Sequence, residues 1–518
     1  MLGRAPTLAK AAAQAAQLAN QAIAWGAQNG LSFSQGKTEL QHFHRSSGRG
    51  PTVVIDGTTI QPNKGTRWLG IHLDTKLSFH AHVKHMTAKA TRAAAHARSL
   101  ANIIRGVPAN LLRLAACAAI FPVLLYGASV WFHGPQKFLA KGRVGPARQQ
   151  QLVDMVTKAV ARTARAIIPA YCTTPHAALF REAGILPARV MLDRCRRQAA
   201  VRIASLDELH PLARLARART STRLTLRHRE LPRAPPATRI LPLAYPPPKP
   251  PEPKDARRIR AAKSRIARIP YCDLQVFSDG SKLQDGSTGA AAALYIAGLE
   301  LPTVSTHLGK MMEVYDAELI GALTGFKAAL QSPAATFAEN VIVMLDNQEA
   351  AYRLLVGQPT LTSQDIILDF RATADRWPLH TRNSMSPGPG KVMVQWIPGH
   401  TDIPGNEAAD RAAKAAASTP PPEHHESVSS LAALASWARS QHRKNVTAYW
   451  HGNIPGTYLE LQIPCIQVLL GTPKGAILFA RFLGASNFLT RYAVPVHFHP
   501  NESLPVTGLA ERPQSPSP

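Results

Sequence analysis

Between residues 270 and 418 the spacing of apolar residues switches repeatedly between a strand-like and a helix-like period. LQVFS (274–278) reads as a buried strand. Residues 288–296 and 299–307 read as two more, joined through Ala297 and Gly298. Residues 314–331 have helical spacing. ENVIVMLD (339–346) reads as a strand, with a short helix from Asn347, and KVMVQWI (391–397) as a further strand. PGNEAADRAAKAAA (404–417) is a strong helix pattern with Pro and Asn near its start. The predicted order is β-β-β-α-β-α-β-α, an α/β arrangement in which helices cover a mixed five-stranded sheet.

The rest of the chain is organised differently. Residues 1–225 are mostly helical by pattern, rich in Ala and Leu with Arg and Lys along the faces. Residues 226–269 read as a linker that is first Pro-rich, in PRAPPATRILPLAYPPPKPPEPK, and then basic. Its basic run holds Arg257, Arg258, Arg260, Lys263, Arg265 and Arg268 without an acid. Residues 378–391 read as a Pro/Gly-rich loop. Residues 419–518 form a poorly defined tail, with helix expected at 428–450 and disorder after about residue 500. Leu114 to Phe132 is uncharged and long enough to span a bilayer, but it contains Pro122 and Gly127. It reads as a buried helix followed by a strand or turn rather than as a membrane span.

Charge narrows the function. The 518 residues carry a formal net charge of +28, which points to a polyanionic partner, most commonly nucleic acid, with a solubility device or an acidic membrane surface as the alternatives. The five cysteines are scattered and form no CxxC pair, which argues against a zinc ribbon or a disulfide framework. With no signal-peptide pattern at the N-terminus, the expected location is intracellular, in nucleus or cytoplasm, and not secreted.

Four acids fall where they could converge: Asp279 after the first strand, Glu318 in the first helix, Asp346 at the end of the fourth strand and Asp410 in the last helix. Each alone has an ordinary explanation, as a turn residue, a helix cap or a solvated helix position. Together, acids at the ends of two adjacent strands would repel one another. Hard divalent cations bound by oxygen are the natural remedy.

FSDGS, DAELIGAL, VMLDNQ and QWIPGHTDIPGNEAADRAAK together resemble type 1 ribonuclease H, in the right order over residues 270–418. The resemblance implies that Asp279, Glu318, Asp346 and Asp410 bind two magnesium ions, with manganese as the other candidate, and that no small-molecule cofactor is used. It implies that His400 is the loop histidine that assists proton transfer or product release. The implied partner is an RNA–DNA hybrid, whose RNA strand is cut to leave a 5′-phosphate and a 3′-hydroxyl. The backbone around Gly280 and Ser281 and the side chain of Gln348 are the implied readers of the RNA 2′-hydroxyls. The segment lacks the basic substrate-gripping helix that some cellular members carry, so hybrid binding is expected to lean on regions outside it. Two rivals stand beside this reading: a non-catalytic nucleic-acid-binding remnant, and another nuclease or integrase on the same fold. The Gly-His and Asn-Glu-x-x-Asp motif favours ribonuclease H over the latter.

Residues 25–43 resemble part of the palm of a retrotransposon reverse transcriptase, through Trp25, Asn29-Gly30-Leu31, Phe33 and Lys37-Thr38-Glu39. RWLGIHLD (67–74) resembles the turn after the palm, and LLYGASVW (124–131) the start of the next helical region. The whole resembles the C-terminal part of a LINE-type, non-LTR, fungal-like retrotransposon polyprotein. A polymerase needs paired aspartates to hold its metals, and no Asp-Asp pair occurs in the chain. Residues 1–24 resemble the helix that follows that motif. The expectation is therefore a truncated reverse transcriptase remnant over 1–225, its polymerase site upstream of Met1. Cys465, His497 and His499 are too sparse for a zinc site.

Overall fold

A computed structural model describes residues 3–453 apart from 45–47, 49, 102–105, 135, 139–143, 147–148, 208, 219–227, 233–255, 357–362, 380–389 and 420–428. The polyproline stretch, most of the 378–391 loop, and the tail with Cys465, His497 and His499 lie outside the described residues. The chain divides into two compact units, one drawing on residues 1–126 and 150–189, the other on 127–149 and 190–448.

The second unit contains the mixed sheet. Its strands are β1 (Leu274–Lys282), β2 (Thr288–Ile296), β3 (Leu299–Gly309), β4 (Val341–Leu345) and β5 (Val392–Trp396), in spatial order β5-β4-β1-β2-β3. β1, β2 and β3 pair antiparallel, while β4 runs parallel to both β1 and β5. Ala297 and Gly298 both take positive φ, 53° and 76°. That is the backbone a two-residue hairpin turn needs to match strand twist.

Period-two alternation sends the two faces of the sheet into two cores. Val276, Val341, Val343 and Leu345 join Leu319, Phe326, Phe370 and Trp377 on one side. Phe277, Ile342, Met344, Ile397 and Ile403 form the other. Helix α2 (Val314–Gln331) covers the first face and α5 (Pro404–Ser418) packs across β1, β2 and β3. The small residues of TGAAAALYI suit a strand covered on both sides, since they let helices approach closely. Phe326, Phe370 and Trp377 are fully buried, each worth roughly 1.5–3 kcal/mol of transfer free energy.

The structure departs from the predicted order in three places. β1 runs on to Lys282, so Asp279 lies inside the strand rather than after it. A helix that the pattern missed, α4 (Gln364–Ala374), stands between α3 (Gln348–Val356) and β5. Ile367 and Phe370 fasten it to the first core. The basic part of the expected linker forms a regular helix, α1 (Ala256–Ala267), and Ile266 and Ile269 pack onto the second core. The expected C-terminal helix is present as α6 (Leu431–Asn453).

Asp316, in the first turn of α2, is fully buried. Its Oδ1 accepts from the Ser363 hydroxyl at 2.5 Å, while its Oδ2 is buried with no hydrogen-bond partner among the described residues. The Ser430 amide donates to Met311 O, so the chain just before α6 returns to the start of α2.

The first unit is mostly helical, with long helices at Leu8–Gln28, His80–Leu100 and Gln150–Ile167. It also holds two short hairpins, Val53–Ile55 with Thr58–Ile60 and Gly65–Trp68 with Ile71–Asp74. RWLGIHLD is therefore strand, turn and strand, folded back at Leu69-Gly70. After the helix Ala109–Ala115, residues Ala116–Ile120 take a π-helical turn and Phe121–Leu124 continues as helix. The expected turn follows at 125–127, and Ala128–Trp131, which belongs to the second unit, is helical again. Among the described residues, no helix is long and apolar enough to cross a membrane.

Candidate active site

Parallel pairing in the register Leu345↔Ser278 sets the residues that follow, Asp346 and Asp279, side by side at one end of the sheet. Helix α2 crosses this end at close range. A Cβ on Gly280 would stand 2.5 Å from the Glu318 amide nitrogen, so only glycine admits the approach. The result is that Asp279, Glu318 and Asp346 each offer a carboxylate oxygen within 4.8 Å of the others. Asp279 and Glu318 are buried and Asp346 is half-buried.

Glu318 Oε2 is buried with no hydrogen-bond partner among the described residues. Asp279 Oδ1 accepts from the Gly280 amide at 2.8 Å. Burial, and then the charges of Asp279 and Asp346, push the Glu318 carboxyl up to about 9. Burial, then Asp346 and a hydrogen bond with Asp410, push Asp279 up to about 8. An orphaned oxygen among mutually repelling carboxylates fits a hard divalent cation with oxygen ligands.

Asp410 joins from α5, within hydrogen-bonding reach of Asp279. Its Oδ2 accepts from Lys414 Nζ at 2.6 Å. Around Asp346 the packing is tight: Gly399 leaves no room for a Cβ beside Oδ2, and the Trp396 indole donates to the backbone oxygen at 2.9 Å. His400 follows Gly399 in the β5–α5 loop, exposed and held at a φ of 56°. Gln348 is half-buried at the first residue of α3, two positions after Asp346. Gly280 is buried with its amide engaged by Asp279, and Ser281 beside it is partly exposed.

Three residues here escaped the sequence reading. Lys414 sits one helical turn from Asp410, a spacing at which opposite charges pair, so the signal was present. Gly399 and Trp396 act through contacts across the sheet edge that no local pattern reveals.

Residues 272–418 match the family model described as RNase H. This segment is an RNase H domain. The chain is 27% identical over 151 residues to a 115 kDa protein in the type-1 retrotransposable element R1DM of Drosophila melanogaster. That alignment covers 29% of this chain and 14% of the relative, so the chain spans about a seventh of that protein's length. Among solved structures, the N-terminal RNase H domain of Rv2228c from Mycobacterium tuberculosis is 17% identical, covering 32% of this chain and 99% of that one at a TM-score of 0.23. RNase H1 from Halobacterium salinarum is 16% identical, covering 28% and 96% at 0.22.

Proposed function

We propose that the RNase H domain hydrolyses the RNA strand of RNA–DNA hybrids with divalent metal held by Asp279, Glu318, Asp346 and Asp410. The observation that carries this reading is the meeting of three carboxylate oxygens within 4.8 Å, inside a segment matching the RNase H family. Two divalent cations, magnesium or manganese, would supply water activation and stabilisation of the leaving oxygen.

The chain's own residues do the rest. Asp279 and Asp346 fix one wall of the site from adjacent strands, and Glu318 closes it from α2. Lys414 Nζ engages one oxygen of Asp410, which a metal ion would have to displace. His400, exposed on its loop, exchanges a proton with the reacting strand or eases product away. Ser281 and Gln348, with the backbone at Gly280, border the site where 2′-hydroxyls would be read. The likeness to a retrotransposable-element protein supports placing the chain in a LINE-type retroelement polyprotein; residues 1–225, on the sequence motifs alone, would be its reverse transcriptase remnant.

The test uses three matched duplexes: an RNA–DNA hybrid, an RNA duplex and a DNA duplex. The wild-type chain cuts only the RNA of the hybrid, and only with metal present. Asp279→Asn and Asp346→Asn abolish cleavage and keep hybrid binding. Hybrid binding without cleavage by the wild type would establish the non-catalytic remnant instead, and cleavage surviving excess chelator would overturn the metal mechanism.

A further inference from the structure

Helix α1 (Ala256–Ala267) precedes the RNase H segment, yet it is fixed to that segment's sheet. Ala262 is fully buried, and Ile266 and Ile269 pack against the core of Phe277, Met344 and Ile397. At the other end of the helix, the half-buried Arg258 holds its guanidinium 5.2 Å from the centre of the Trp396 ring. The Trp396 indole in turn donates to the backbone oxygen of Asp346. The first turn of α1 therefore lies at the end of the sheet where the carboxylates gather.

The other cations of this stretch point away from the core. Arg257, Arg260, Lys263, Arg265 and Arg268 are all exposed, and none forms an ion pair among the described residues. A solvated helix kept for solubility could have this composition. Such a helix would need no docked face, and no arginine anchored beside a metal-site tryptophan. Scale also fits a duplex backbone. Twelve helical residues extend about 18 Å. Duplex nucleic acid presents about one negative charge per 1.7 Å of axis. A cluster of acids cannot itself attract a polyanion, so nearby fixed cations have a function to fulfil.

We infer that the exposed face of α1 tracks the phosphate backbone of the RNA–DNA hybrid, seating the duplex against the carboxylate site. This rests on the nuclease reading above. The Arg258–Trp396 contact sets the position of the helix, and the five exposed cations make the contacts.

The experiment measures binding of a labelled hybrid to the full chain by fluorescence anisotropy, in chelator, across a salt series. Wild type is compared with a variant carrying Arg257→Gln, Arg260→Gln, Lys263→Gln, Arg265→Gln and Arg268→Gln. Each lost phosphate contact removes up to about 0.9 from the slope of log K against log salt. The expected result is a slope reduced by about 2 or more, with binding weakened most at low salt. A second variant, with lysine at the four arginine positions, keeps the wild-type slope and shows that charge is what matters. A smaller reduction in the glutamine variant overturns the inference. Cleavage by the wild type is assayed separately: a chain that binds hybrid through α1 but never cuts it defeats the nuclease reading alone.

Discussion

Lys414 Nζ lies 2.6 Å from Asp410 Oδ2, and so occupies an oxygen of the carboxylate that stands beside Asp279. The lysine side chain is 54% exposed, so this pair contributes no more than about 1 kcal/mol to stability. Its larger effect is on what else Asp410 can hold, because a metal ion bound there would have to compete with the ammonium group. Lys414→Met is expected to lower the magnesium concentration for half-maximal cleavage by about two- to fivefold, with little change in melting temperature. A magnesium titration of cleavage measures it. A higher requirement in the variant would mean that the lysine assists the site instead.

Metal-free stability should fall as pH rises. Burial and mutual repulsion raise Glu318 to about 9 and Asp279 to about 8. In the unfolded chain both titrate at about 4. The folded state thus holds its protons longer. The stability this contributes is complete below about pH 4 and is lost as pH climbs through the folded values. The metal-free chain is expected to melt at a lower temperature at pH 9 than at pH 5, and Glu318→Gln should narrow that gap. Magnesium should raise the wild-type melting temperature more at pH 9 than at pH 5. Scanning calorimetry with and without metal decides it, and a gap unchanged by Glu318→Gln would show that this cluster is not its source.

Gly399 and His400 are neighbours with separable effects. A Cβ at Gly399 would overlap Asp346 Oδ2 and push that carboxylate out of place. Gly399→Ala is expected to slow cleavage about 10²-fold through misplacement of a ligand group. His400→Ala should slow turnover by about 10²–10⁴-fold without eliminating it. Because His400 sits at positive φ, His400→Asn is the better control, since asparagine tolerates that backbone. Turnover profiles against pH that coincide for wild type and both His400 variants would make the histidine a bystander.

Primer extension on a primed RNA template should yield no product from this chain, because it contains no Asp-Asp pair to hold polymerase metals. Hybrid cleavage by the same preparation serves as the folding control. Template-dependent extension would show that the front of the chain has been misread.

The elements that position the carboxylates were legible because each carries a strong local signal. The 288–296 strand and the 314–331 helix have the expected bounds, and Ala297-Gly298 turns the hairpin between β2 and β3. Elements that depend on distant contacts were less so. Helix α4 buries Ile367 and Phe370 in the first core, with Ile366 and Ala374 against it, but it is only 11 residues long and sits beside the Pro/Gly-rich stretch that follows. Three-residue strands such as Val53–Ile55 cannot display alternation at all. The Asp56-Gly57 pair was a readable hairpin signal there, with φ of 48° and 72°. The meeting of Glu318 with two strand ends depends on how closely α2 can approach Gly280, which no spacing along the chain reports.

The ties at the start of α2 govern where the chain can be shortened. A piece ending at Ser418 would lose Ser430, whose amide donates to Met311 O just before the helix that carries the buried Asp316. Stranding a buried polar group costs about 1–3 kcal/mol, more if charged. That is a large part of the about 5–15 kcal/mol that holds a typical domain folded. A piece starting at Cys272 would also strip Ile266 and Ile269 from the second core. A fragment from Ala256 to Asn453 keeps both attachments, so an expressible RNase H domain is wider at each end than its family match.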